Sequence, residues 1–253
     1  MEPDDNFAPF RFAILTDFHL LKRGMDRTRK AIEDINGRPD LAFVLLLGDF
    51  IWPGPMAELK ALLSSLRVPY HAVPGNHDAA RIGEYQAEFG PLYGSFEHRL
   101  CLFVGLWNAV PALTATDARH GELDVDQDAW LVDTLRRARK RRPAYRRVFL
   151  YAHVPPLPPK GQADPQFRMT PAASARLYER CRQFRVDACF FGHVHYEEAF
   201  EHDGTRFIVA PSVIWNLDRS AGPDAESWVK TDRGGYQIVQ VGQDAVHQEI
   251  QWI

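Results

Sequence analysis

The chain has 253 residues, 45% of them hydrophobic and 25% charged, enough for one sizeable core and within the range where an α/β architecture forms a single domain, expected here over 1–253. A net charge of −3 excludes a broadly basic footprint, so no nucleic-acid polymer is expected as a partner. No apolar run approaches the ~18 residues of a membrane span, and Met1 to Asn6 is acidic and polar where a secretion signal would be basic and then apolar. A cytoplasmic protein with no membrane partner is expected. Cys101, Cys181 and Cys189 fall in apolar strand-like or helical stretches and read as reduced structural thiols.

In chain order, residues 10–16 form an apolar strand, and 25–36 carry Met25, Ala31, Ile32 and Ile35 at helical spacing before Gly37 and Pro39 stop the helix. Residues 41–47 are the most apolar short run, which fits a central strand buried on both faces. Helical spacing returns over 56–66 and a strand over 70–73, giving a βαβαβ order and hence a parallel sheet. Residues 93–107 suggest a hairpin. Residues 124–140 read as a helix capped by Asp124 with Gln127 answering, and its basic end, 136–142, as a solvated C-terminus suited to the helix dipole. A strand at 147–151, a proline-rich loop, a helix near 171–183 and a strand at 187–191 follow. Two hairpins close the chain, 197–210 around Asp203-Gly204 and 235–252, separated by a loop over 215–234. Their outer strands offer edges for a homodimer.

Chemistry gathers where these strands end. Gly75-Asn76-His77-Asp78 follows Tyr70–Val73 and Pro74, Asp17-Phe18-His19 follows the first strand, and Gly48-Asp49 the second. His153 follows 147–151, and Gly192-His193-Val194-His195 follows 187–191. Each has a plain alternative: Gly-Asn and Gly-Asp are turn dipeptides, Asp17 a helix cap, His153 a hydrogen-bonded loop histidine. Those alternatives do not explain five such segments at five strand ends, the sheet edge where α/β proteins build sites. Imidazole, carboxylate and amide oxygen together suit zinc, manganese or iron, whereas calcium would call for oxygen alone. Asp17 and His19 alternate by two, as do His193 and His195, so on extended segments each pair is expected to point one way.

Asp-x-His, Gly-Asp, Gly-Asn-His-Asp, a lone His and Gly-His-x-His, in that order over residues 17–195, resemble the calcineurin-like metallophosphoesterases, most of all their small cyclic-nucleotide and glycerophosphodiester phosphodiesterases. The resemblance implies a four-layer α/β/β/α sandwich of two mixed β-sheets flanked by helices. It implies two metal ions, manganese, iron or zinc: one held by Asp17, His19, Asp49 and His195, the other by Asn76, His153 and His193 with Asp49 shared. A bridging hydroxide would attack phosphorus in line, with His77 beside the scissile ester and Asp78 as its orienting partner. The expected partner is a small phosphate-ester substrate, a phosphodiester first; a phosphomonoesterase or protein phosphatase of this fold, or a non-catalytic scaffold, are the alternatives.

Substrate contacts are expected from Arg23, Lys160 and Arg168, and from Trp215, Asn216 and Trp228 in the loop over 212–233. A cation there would meet a phosphate and an aromatic would stack on a base. The competing reading is a solvated charge or a packed ring. Phe18 and Phe50 are expected to shape the pocket.

Overall fold

A computed structural model of the chain describes residues 7–19, 22–50, 56–109, 121–159, 167–220, 222 and 228–253. Its first half contains β1 (Phe10–Leu15), α1 (Lys22–Asn36), β2 (Leu41–Leu47), α2 (Met56–Leu63), β3 (Tyr70–Val73) and, after one 3₁₀ turn, α3 (Ile82–Phe89). There follow β4 (Gly94–His98), β5 (Cys101–Gly105), α4 (Val125–Lys140), β6 (Arg147–Tyr151), α5 (Pro171–Phe184) and β7 (Ala188–Phe191). The remainder is strand: β8 (Glu198–His202), β9 (Thr205–Val209), β10 (Asn216–Asp218), β11 (Val229–Thr231), β12 (Gly235–Val241) and β13 (Val246–Trp252).

The strands make two large mixed sheets, ordered β13-β12-β1-β2-β3 and β4-β5-β6-β7-β9-β8, and a small ribbon, β10-β11. Within the large sheets β1, β2 and β3 run parallel, as do β5, β6, β7 and β9. Alternation along each strand explains the layering. On β1 and β2, Phe12, Ile14, Phe43, Leu45 and Leu47 enter a core between the sheets, and they meet Phe103, Phe149 and Phe190 of the second sheet there. Phe12 stacks on Phe43 at 5.0 Å between ring centres and takes Phe103 and Phe190 edge-on. The alternate residues, Ala13, Leu15, Val44 and Leu46, face Ile32, Leu59 and Tyr85 of α1, α2 and α3. On the far side Leu102, Val104, Leu150, Cys189 and Phe191 pack under α4 and α5. The order of layers is therefore α/β/β/α, as expected.

Asp124 caps α4 by accepting the Gln127 N–H at 2.9 Å, and Thr170 caps α5 with Pro171 in the first turn. The three cysteines are buried and free, with Cys181 Sγ 3.5 Å from Cys189 Sγ. Two elements depart from expectation. α3 was not expected. The ribbon β10-β11 occupies what reads as loop over 215–234, because three-residue strands are too short to show a period beside Gly222, Pro223 and Gly234. The two closing hairpins supply the outer strands β8 and β13. Among the described residues no helix is long and apolar enough to cross a membrane.

Candidate metal centre

The parallel strands of both sheets deliver their C-terminal ends to one edge, and the loops there are bonded to one another through the backbone. Asp17 N–H donates to Gly48 O, His19 N–H to Asp49 O, Gly192 N–H to His153 O and Val213 N–H to Thr16 O. The loops approach so closely that a Cβ on Gly75 would lie 2.1 Å from Asp49 Oδ1, and one on Gly192 would lie 2.0 Å from the Thr16 hydroxyl.

One feature of the backbone overturns an expectation. Asp17, His19, Asp49, His193 and His195 all have left-handed backbones, with φ of 59°, 38°, 55°, 75° and 56°. Alternation along an extended segment is thus not what aligns Asp17 with His19 or His193 with His195; each turns back into the site on a left-handed bend. Non-glycine residues held this way cost on the order of 1–3 kcal/mol each and persist where surrounding structure fixes them.

Two groups of side chains result. In the first, His195 Nε2 lies 3.3 Å from Asp17 Oδ1 and 3.0 Å from His19 Nε2. In the second, His153 Nε2 lies 3.1 Å from Asn76 Oδ1, 3.1 Å from His193 Nδ1 and 3.3 Å from Asp49 Oδ1. Asp49 stands between them, its other oxygen 3.6 Å from His19 Nε2. Backbone carbonyls orient the rings: His195 Nδ1–H donates to Trp215 O and His153 Nδ1–H to Leu47 O, so both Nε2 atoms face inward. Asp17 Oδ2 accepts from the Thr16 hydroxyl and the His193 N–H, which leaves Oδ1 directed at His195.

Lone pairs crowded in this way need a cation. Asp17 Oδ1 and His193 Nε2 are buried without a hydrogen-bond partner, and the sets Asp17-His19-His195 and Asp49-His153-His193 each have donor atoms close enough to share one ion. The residues fit two metal ions. In their absence, burial pulls His153 down but the Asp49 carboxylate outweighs it and holds the imidazole at about 9. Burial lowers His19 to about 4 and His193 to about 3. Burial would raise Asp49, but His153 and then His19 hold it well below the usual carboxylate range.

His77 stands at the lip, its side chain 30% exposed, with Nε2 3.7 Å from Asp49 Oδ2 and its ring edge-on to His19. Burial lowers its pKa, opposed by Asp49. Asp78 is fully buried, and its two oxygens accept the Phe50 and Gly75 N–H groups, so what it visibly orients is the pair of loops carrying Asp49 and Asn76.

The expected substrate residues fare differently. Arg168 is not on the rim: it is fully buried, donating to Tyr196 and to Glu198 at 2.8 Å. Lys160 and the Arg23 side chain lie outside the described residues. Trp215 is part-buried, with His195 4.0 Å from its ring centre and the Lys230 ammonium 3.9 Å from it. Phe18 and Phe50 stack on each other beneath the site, within the helix-side core. Sequence reasoning missed Thr16 and Asn108. The Asn108 amide clamps Val154, next to His153, by accepting its N–H and donating to its carbonyl. Asn108 follows β5 as the other site loops follow their strands, and that position was the available signal.

The sequence model of the calcineurin-like phosphoesterases matches residues 10–197. The chain is 28% identical over 206 residues to the serine/threonine-protein phosphatase CPPED1 of Danio rerio, covering 74% of this chain and 64% of that protein, so it spans less than two thirds of that relative's length. It is 23% identical to the 3′,5′-cyclic-nucleotide phosphodiesterase alr5338 of Nostoc over 253 residues, 93% and 89% of the two chains. In fold it is similar to a dimetal phosphatase from Danio rerio, with a TM-score of 0.66 at 15% identity over 94% of this chain and 98% of that one. With its ordered ligand loops and the match across both sheets, the chain belongs to the calcineurin-like phosphoesterase family.

Proposed function

We propose that this phosphoesterase hydrolyses a small phosphodiester, of the cyclic-nucleotide or glycerophosphodiester class. The observation that carries the reading is the pair of inward-facing ligand groups with Asp49 between them and a partly exposed imidazole, His77, at their lip. Two ions held there, manganese, iron or zinc, would supply Lewis acidity toward phosphoryl oxygens and a nucleophilic water at neutral pH. Asp17, His19, Asp49 and His195 would hold one, and Asn76, His153 and His193 the other with Asp49.

The chain's own groups do the positioning. The carbonyls of Leu47 and Trp215 fix the ring orientations of His153 and His195, and the Thr16 hydroxyl and His193 N–H fix Asp17. A lowered pKa leaves His77 neutral at pH 7, so it offers a phosphoryl oxygen an N–H hydrogen bond; that contact strengthens as charge builds there and is worth about 10²-fold in rate. The similarity over nearly the whole chain to a cyclic-nucleotide phosphodiesterase favours a diester. The similarity to CPPED1 supports a second reading, a phosphatase.

Hydrolysis of bis(p-nitrophenyl) phosphate and of p-nitrophenyl phosphate with added manganese separates the two. Diesterase activity, lost in Asp49→Ala and strongly reduced in His77→Ala, is the expected result. Activity on the monoester alone makes the phosphatase reading the better one, and no metal uptake with no turnover makes the chain a scaffold.

A further inference from the structure

A cleft of ≈ 460 Å³ opens beside the first ligand group, lined by His19, Gly24, Ile214, Trp215, Lys230, Thr231 and Asp232. It is larger than one phosphate needs and lies in the size range of small-molecule sites. Its recognition chemistry follows from which of its groups are already satisfied. Asp232 is matched by Arg27, whose guanidinium donates to its carboxylate at 2.8 Å and to the carbonyls of Asp232 and Ile214. Trp215 carries His195 and Lys230 within about 4 Å of its ring centre. Lys230 itself is exposed, and among the described residues no carboxylate pairs with it.

The ammonium is also held in place. It rests on Trp215, whose carbonyl takes the His195 Nδ1–H, and Lys230 sits opposite Leu217 in the ribbon while Leu217 N–H donates to His195 O. Cation–π contact leaves the charge intact and its N–H groups open to a further partner. The ribbon therefore sets one uncompensated positive charge at a fixed offset from a metal ligand.

We propose that Lys230 is a specificity-determining residue that binds an anionic group, carboxylate or phosphate, on the part of the substrate beyond the scissile phosphate. This rests on the phosphoesterase reading above and, of its two diester classes, fits a glycerophosphodiester with an anionic head, since a cyclic nucleotide carries no anion beyond its scissile phosphate.

The test compares thymidine 5′-phosphate with thymidine 3′,5′-bisphosphate, which differ only by a second phosphate, by calorimetric titration of the manganese-loaded full chain. Wild type is expected to bind the bisphosphate about fivefold tighter, the upper range for one exposed charge pair. Lys230→Met, which keeps a long chain over Trp215, should close the gap, and Lys230→Arg should keep it. Equal affinities in wild type, or a gap unchanged in Lys230→Met, overturn the proposal. Parallel turnover of bis(p-nitrophenyl) phosphate reports on the other reading: a gap that depends on Lys230 without diester hydrolysis leaves the anion site standing and removes the phosphodiesterase.

Discussion

The floor of the site and its rim are built by different means. On the floor, the candidate ligands follow buried parallel strands; Asp17, His19, Asp49, His193 and His195 are bent back by left-handed backbones, and His153 and His195 are held by backbone carbonyls of neighbouring loops. The rim beside it is a ribbon of two three-residue strands with side chains tying its surroundings: Asn216 ties Ser212 to Arg233, and Lys230 lies on Trp215. A floor made of backbone cannot change one ligand without disturbing several loops. A rim that presents side chains can exchange its charges singly, as the proposed Lys230 contact requires.

If that contrast holds, damage to the floor should dominate. Asp49→Ala removes the carboxylate that stands between the two groups, and turnover should fall on the order of 10³-fold or more, with metal content by plasma emission dropping at both sites together. Loss of only one equivalent of metal would show that Asp49 does not join the two halves. Gly192→Ala should act through shape: its Cβ would meet the Thr16 hydroxyl and Asp17 Oδ2, at 2.0 and 2.8 Å, so the loop must shift. A loss of about 1–3 kcal/mol in urea unfolding, with weaker metal binding, is expected.

Protons sharpen the same contrast. His153 is held protonated at neutral pH by Asp49, at about 9, while His19 and His193 are already neutral. Metal must displace the His153 proton, so affinity at the Asn76-His153-His193 group should rise about tenfold per pH unit from 7 toward 9 and level off above. Loading at pH 7 should release at least the one His153 proton per chain, with any ionisation of metal-bound water adding to it, measurable by calorimetry in buffers of different ionisation enthalpy. The sign in the metal-free protein is opposite: a folded value above the ordinary 6.5 contributes stability below that pH and loses it as pH climbs through 9.

Much of this was legible in the sequence because burial writes itself locally. Leu41–Leu47 is apolar throughout since both of its faces are covered, and a Gly-Asp immediately after it marks where the cover ends. The positions of Asp17, Asp49, Asn76, His153, His193 and His195 followed from that one regularity. Their conformations did not, because a left-handed residue other than glycine leaves no mark on composition. Thr16 and Asn108 were missed because their partners, Asp17 Oδ2 and the Val154 backbone, matter only once the fold brings the loops together.

Arg168 is the case where sequence and structure part most clearly, and its substitution should have the smallest effect on turnover. An arginine beside a proline-rich loop reads as a rim cation. Here it is buried against Glu198 and Tyr196, which follow the His195 loop, and Arg219 reaches the same carboxylate at 3.4 Å. With Arg219 left to compensate Glu198, Arg168→Met should cost less than the ~3–5 kcal/mol of a broken buried pair. KM for a diester should stay within about twofold of wild type, since the side chain has no exposed surface to offer a substrate. A KM raised tenfold at unchanged stability would return Arg168 to the rim, and would mean that side chains as well as backbone hold the floor.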